Sequence, residues 1–142
     1  MKVLVQSFSF KRTGYPIDKT GTGGGFVFDC RAIDAFDFSL NKPITPFPYM
    51  HLTGLDFEVA DALDKDSDTQ KFYQAAWIMV RLDIEKCIRQ GFKIMTVNFG
   101  CTAGWHRSVY MAERLDKDIR STFQDVWVEI VHLERAYWPK KN

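Results

Sequence analysis

The chain is predicted to be an α/β domain: a mainly parallel sheet with crossover helices and an anion-binding loop where one strand turns into a helix. Three observations lead there. Short apolar runs alternate with two long stretches of helical periodicity, in the order strand, long helix, strand, loop, helix, strand. Connections of that length imply right-handed crossovers and therefore parallel pairing. A chain of 142 residues, 46% hydrophobic and 15% aromatic, is enough for one core and short for two, so residues 1–142 are read as one domain.

Each element has its own signal. KVLVQSF is a strand, because Val3, Leu4 and Val5 form an apolar run bounded by polar residues. KRTGYPIDKTGTGGG is a loop, and its glycines, arriving before a strand with no Lys-Ser/Thr after them, read as a flexible connector and not a Walker motif. FVFDCRAI is the second strand. DAFDFSLNKPITPFPYMHLTG, with Pro43, Pro46 and Pro48, is irregular chain that cannot continue a sheet. FEVADAL supplies one or two helical turns. Asp68 or Thr69 caps a helix running to Gln90, in which Tyr73, Ala76, Val80, Ile84 and Cys87 recur at helical spacing and Gly91 suits the C-terminal end. FKIMTVNF is the third strand, residues 106–122 form the second long helix, and VWVEIVHLE is the fourth strand.

Nineteen basic and eighteen acidic side chains leave a net charge of +1, so no strong field announces nucleic acid or an anionic membrane, and any such contact must be local. Cys30, Cys87 and Cys101 are odd in number and lack CxxC spacing, which fits neither a disulfide framework nor a metal site. No apolar stretch approaches the roughly 18 residues of a membrane span, and MKVLVQSFSFKR turns polar too early for a signal peptide. A cytoplasmic protein without a cofactor is expected.

The chemistry concentrates in GCTAGWHRS, residues 100–108. A turn from a strand into a helix aims unpaired N–H groups at an anion, and in open α/β sheets ligands sit beyond the carboxyl ends of the strands. Gly100 and Gly104 allow sharp turning, Thr102 and Ser108 offer hydroxyls, and Arg107 presents a fork suited to phosphate oxygens. The plainer alternative is a turn closed by glycines, with His106 and Ser108 capping the helix and Arg107 solvated. Two apart on a strand, Asp29 and Arg31 share a face and could meet a polyol and its phosphate, or merely brace the sheet edge. Lys11 is a phosphate contact or a solvated loop lysine. Asp56 accepts a sugar hydroxyl or caps the following helical turn. His51 and His132 are read as ordinary histidines, and Cys30 and Cys87 as buried small hydrophobes. Trp105 could stack on a sugar or base, or plug the turn; YWPKKN is read as a solvated tail.

Cys101 and Arg107 satisfy Cys-x5-Arg followed by Ser, and CTAGWHRS resembles the signature loop of protein tyrosine phosphatases. That likeness implies Cys101 as nucleophile, Arg107 as phosphate ligand, and Asp29, Asp34, Asp37 or Asp56 as general acid. The phosphatase pattern places His before the Cys and a Trp-Pro-Asp loop upstream, whereas this chain has Gly100 and no Trp-Pro-Asp, so no catalytic residue is expected.

Four blocks in order, SFSFKRTGYPI, FVFDCR, LTGLD and GCTAGWHRSVYMAERL, resemble the C-terminal domain of the RNase adapter protein RapZ family over about residues 3–119. The resemblance implies a domain like the substrate lobe of a sugar-phosphate kinase, which senses a small phosphorylated ligand, an amino-sugar phosphate, binds RNA and assembles into homo-oligomers. It places ligand contacts on Lys11, Asp29, Arg31, Thr102, Gly104, His106 and Arg107, to which Ala103 and Ser108 add the rest of the loop. No Gly-x4-Gly-Lys-Ser/Thr occurs, so ATP binding is not expected, and the near-neutral charge makes RNA binding weak and salt-dependent.

Overall fold

The computed structural model describes residues 1–37, 41–45 and 49–140, except the side chains of Phe36 and Asp37. The elements run β1 (Lys2–Ser9), β2 (Phe26–Asp29), β3 (Phe36–Asp37), β4 (Lys42–Pro43), α1 (Phe57–Asp64), α2 (Ser67–Gln90), β5 (Ile94–Cys101), α3 (Arg107–Thr122) and β6 (Trp127–His132). Strands β2, β5, β1 and β6 lie side by side in that order, all parallel, as the predicted fold class requires. Single-turn 3-10 helices occupy Cys30–Ala32 and Arg135–Tyr137.

Topology dictates how the two faces are covered. The connections β2 to β5 and β5 to β6 move across the sheet in one direction, so right-handed crossovers place α1, α2 and α3 on the same face. The β1 to β2 connection moves the opposite way, and the same rule sends residues 10–25 to the other face. Alternation then assigns Val3, Val5, Val97 and Phe99 to the helix face, where they pack with Val80, Ile84, Met111 and Leu115 in the buried core. Burying one such side chain contributes about 1.5–3 kcal/mol. The sheet's other face carries Leu4, Gln6, Thr96, Asn98 and Val27, with the glycine-containing segment over it.

Several local expectations are corrected. The second strand stops at Asp29, whose carboxylate caps the 3-10 turn by accepting from Arg31 N, so Asp29 and Arg31 do not share a strand face. Asp66, not Asp68 or Thr69, caps α2: its side chain accepts from Thr69 N at 2.9 Å, and the helix begins at Ser67. Gly91 closes α2 at φ +72°, where a side chain would be strained. The proline-containing stretch does contribute a two-stranded antiparallel ladder, β3 with β4, in which Pro43 pairs with Phe36. Pro46 and Pro48 lie outside the described residues. The glycine segment is folded down instead of hanging free: Asp18 accepts from Thr20 N, Gly23 N and Gly24 N at 2.9–3.0 Å.

Candidate functional site

Strands β1 and β5 are neighbours, yet the chain leaves β1 toward one face of the sheet and β5 toward the other. The crevice between their carboxyl ends is therefore a topological switch point, the place where open α/β sheets admit ligands. Ser9 pairs with Cys101, Phe10 N donates to Cys101 O at 3.0 Å and Ser9 Oγ donates to Thr102 O at 2.7 Å; beyond that the strands part. Asp29 reaches the same level, opposite Gly100.

Residues 102–106 make the turn and α3 begins at Arg107. Among the described residues, none of the backbone N–H groups of residues 102–109 donates to a protein acceptor; Tyr110 N is the first, to His106 O. The first N–H groups of a helix lack partners by construction, and the helix dipole adds positive potential there. Gly104 supplies the bend at φ +72°; a Cβ there would stand 2.6 Å from Glu134 Cγ and 3.1 Å from the backbone of Phe8 and Ser9. At Gly100 it would strike the rings of Phe8 and Phe10, 2.4–2.6 Å away. Gly104 serves both turning and close approach, whereas Gly100, expected to help the chain turn, lies within the extended strand β5 and serves close approach alone.

The predicted site residues fall into three groups. Thr102, Ala103 and Gly104 lie in the turn, and Arg107 opens α3 directly after it. Arg107 donates from NH1 to Ile33 O at 2.7 Å, and its charge helps hold the Asp29 carboxyl below its usual range, after the larger effect of Arg31. Asp29 and Arg31 are brought to the rim but grip each other, with guanidinium-to-carboxylate bonds of 2.9 and 2.7 Å, while Arg31 stacks 3.8 Å over the Phe10 ring. Lys11 lies on the same rim, exposed, its backbone N–H bonded to Ser9 Oγ.

His106 and Ser108 are turned inward. His106 is 4% exposed, and Nε2 lies 2.9 Å from Tyr49 O and 2.8 Å from Leu52 O; two carbonyls can only accept, so Nε2 carries the hydrogen. Burial pushes its pKa down. It makes no side-chain capping bond to α3. Ser108 Oγ meets Cys101 Sγ at 3.1 Å under the turn, and Cys101 is 3% exposed. Of the acids named for the phosphatase likeness, Asp56 accepts from Thr53 N at 2.8 Å, Asp34 is exposed, and the Asp37 side chain lies outside the described residues.

Three supports have no signal in the residues around the loop. Gly54 N donates to Trp105 O at 2.7 Å, and a Cβ on Gly54 would come within 2.6 Å of His106 O, so the turn of residues 53–56 is seated on the start of α3. Trp138 Nε1 donates to Gly104 O at 3.1 Å. Glu134, fully buried behind Gly104, pairs with Arg12 at 3.4 Å, and desolvation raises its pKa. His132, read as ordinary, is a buried link between Ser7 Oγ at 2.6 Å and Glu113 at 2.9 Å. Among the described residues no cluster of His, Cys, Asp and Glu could hold a metal ion, and no helix is long and apolar enough to cross a membrane.

Fold and turn together define a two-layer α/β domain with a strand-to-helix turn at its switch point. The chain belongs to the family described as RapZ C-terminal domain, which matches residues 1–135. Among its relatives, a nucleotide-binding protein of Thermotoga neapolitana is 36% identical over 115 residues, covering 81% of this chain and 36% of the relative. One of Xanthomonas euvesicatoria pv. vesicatoria is 34% identical over 137 residues, 95% of this chain and 42% of the relative. One of Lactobacillus helveticus is 34% identical over 139 residues, 98% of this chain and 42% of the relative. The chain thus spans well under half the length of these relatives.

Proposed function

We propose that residues 100–108 bind the phosphate group of a small phosphorylated ligand, a phosphosugar, and that the domain acts as a sensor or regulatory module. The observation that carries this reading is the run of N–H groups from residue 102 to 109 without acceptors among the described residues, at the switch point, beside the Arg107 guanidinium. Thr102, Ala103 and Gly104 contribute backbone, Arg107 contributes charge, and His106 and Ser108 hold the turn from beneath. Asp29 and Arg31 at the rim contact the sugar portion, an amine meeting Asp29, and Lys11 adds long-range attraction. Family membership and the relatives' description as nucleotide-binding proteins support a ligand-binding role.

RNA is bound weakly on this reading. Two of the cations nearest the turn are already neutralised, Arg12 by Glu134 and Arg31 by Asp29, so few remain to displace counterions. Exposed Ile78, Leu82 and Trp127 supply apolar surface for self-association, which light scattering over a concentration series would detect.

One contact favours a second reading. The Ser108 hydroxyl, 3.1 Å from Cys101 Sγ, sets that sulfur beneath the turn, where a Cys-x5-Arg phosphatase would carry its nucleophile. Turnover would also need a proton donor, and Asp29 is held ionised by Arg31. We therefore assign Cys101 a packing role. Side-by-side assay of the wild type and Cys101→Ser on an aryl phosphate tests this: no turnover in either fits, and robust turnover lost in the variant installs a phosphatase. A thermal-shift screen with sugar phosphates, nucleotides, phosphate and sulfate tests the ligand class, since a ligand that binds only the folded state raises its melting temperature.

A further inference from the structure

A second site lies on the sheet face turned away from the helices. Strands of parallel sheets are usually apolar on both faces, because both are covered. Here the middle of the open face is polar: the register sets Leu4 beside Thr96, and Gln6 beside Asn98, with Val27 on the far side of Asn98. Thr96 and Asn98 are only 4% and 5% exposed. Gln6 Nε2 donates to Asn98 Oδ1 at 3.0 Å and Asn98 Nδ2 donates to Phe26 O at 3.1 Å. These bonds use one hydrogen of each amide. Among the described residues, the second hydrogen of each amide, Gln6 Oε1 and the Thr96 hydroxyl have no further partner.

These groups floor a half-open cavity of about 530 Å3, bounded on its other side by residues 13, 15–20 and 23–25. The roof is a built structure: Asp18 pins the glycine run, and Gly25 lies so close over β5 that a Cβ would stand 2.2 Å from both Thr96 O and the Thr96 hydroxyl, which leaves the Gln6 and Asn98 amides as the open part of the floor. Leu4, Ile17, Val27 and Leu133 give the walls apolar surface, and Tyr15, set edge-on against Phe10 at 5.5 Å, stands at the mouth. Asp18 and Lys19 are the charged groups of the lining, and the Asp18 carboxylate is already occupied by backbone N–H groups.

Such a lining suits a neutral, flat ligand with apolar faces and an edge of alternating donors and acceptors. Side-chain amides of Asn and Gln match that edge on a nucleobase, and tyrosine stacks on its face. The volume lies within the range of small-molecule sites. Packing of Phe8 and Phe10 over Gly100 separates this cavity from the turn at residues 100–108. We propose that the cavity binds a nucleobase, carried either by a free nucleoside or by an unpaired residue of single-stranded RNA.

The test is titration of the 15N-labelled full chain, watched by NMR, with adenosine, guanosine, cytidine, uridine, ribose as control, and a short unstructured oligoribonucleotide. One nucleoside is expected to shift the side-chain amide signals of Gln6 and Asn98 saturably, while ribose does not. Gln6→Leu should weaken binding by about tenfold. Tyr15→Ala, at a side chain 70% exposed, should leave the melting temperature close to that of the wild type while weakening binding by about fivefold or more. An oligonucleotide that binds tighter than the nucleoside identifies RNA as the source; equal or weaker binding identifies the free nucleoside. If no nucleoside moves those signals, if ribose moves them as well, or if both variants bind like the wild type, the proposal is overturned.

Discussion

The two faces of the sheet were built by different rules. On the helix face, side chains from β1, β5, α2 and α3 close over one another, and Val5, Val97, Phe99 and Leu115 have no exposed surface. On the other face a connection without a helix crosses the strands, Val27 and Trp127 stand 43% and 79% exposed, and the centre is held by hydrogen bonds between amides. Hydrophobic burial is non-directional and tolerates many sequences, while a polar floor works only if its partners are in place. The first face should therefore carry the stability of the fold and the second its specificity.

Truncation should expose this contrast most strongly. Phe99→Ala is expected to cost about 3–5 kcal/mol, because it opens a cavity among packed rings and aliphatic chains. Trp127→Ala should cost less than about 0.5 kcal/mol, since the ring is mostly in solvent. Denaturant titration of both variants checks the difference; comparable losses would mean that the open face is covered in solution. At the boundary between the faces, Gly104→Ala meets both a strained backbone angle and the Glu134 side chain, and a loss of about 1–3 kcal/mol is expected in the same measurement. Asp66→Ala removes the cap of α2 and should cost about 1 kcal/mol, seen as a lower midpoint at unchanged slope.

A smaller effect belongs to pH. Burial holds the His106 pKa below the ordinary histidine value of 6.5, so the unfolded chain takes up this proton more readily than the folded one. Stability from this group is complete above 6.5 and falls as pH drops from there toward the lower folded value. The Glu113 carboxyl, held below its ordinary value by the bond from His132, adds a loss at more acidic pH, as protonation passes from the unfolded to the folded value. Comparing the pH dependence of melting for the wild type and His106→Gln isolates the first step; an unchanged slope near neutral pH in the variant would contradict the assignment.

What the sequence revealed follows the same division. Helical spacing in α2 and the apolar runs of β1 and β5 report burial directly, so the sheet and its helices were legible, as was the turn at residues 100–108, whose glycines, hydroxyls and arginine are contiguous. The end of β2 was not, because FVFDCRAI remains apolar beyond Asp29 and only the side-chain cap stops it. The cap of α2 was misplaced because Asp66, Ser67, Asp68 and Thr69 are all capping residue types, and the choice falls on the one that reaches Thr69 N. The β3–β4 ladder was missed because its proline argued against a strand. The supports of the candidate site, Ile33 O under Arg107, Gly54 against Trp105 and Trp138 on Gly104, join positions 34 to 74 residues apart, or are backbone groups that every residue has, and no local pattern marks them.

The central claim is that the turn into α3 holds a phosphate group by its backbone, and it is tested most directly by titrating inorganic phosphate into the 15N-labelled chain while watching amides 100–109. Saturable shifts confined to that segment are predicted, with Arg107→Ala weakening them by about 1.5–3 kcal/mol of binding free energy and Cys101→Ser leaving them within about 1 kcal/mol. Amides 100–109 that stay unmoved at millimolar phosphate, or an Arg107→Ala protein that binds as the wild type does, would contradict it.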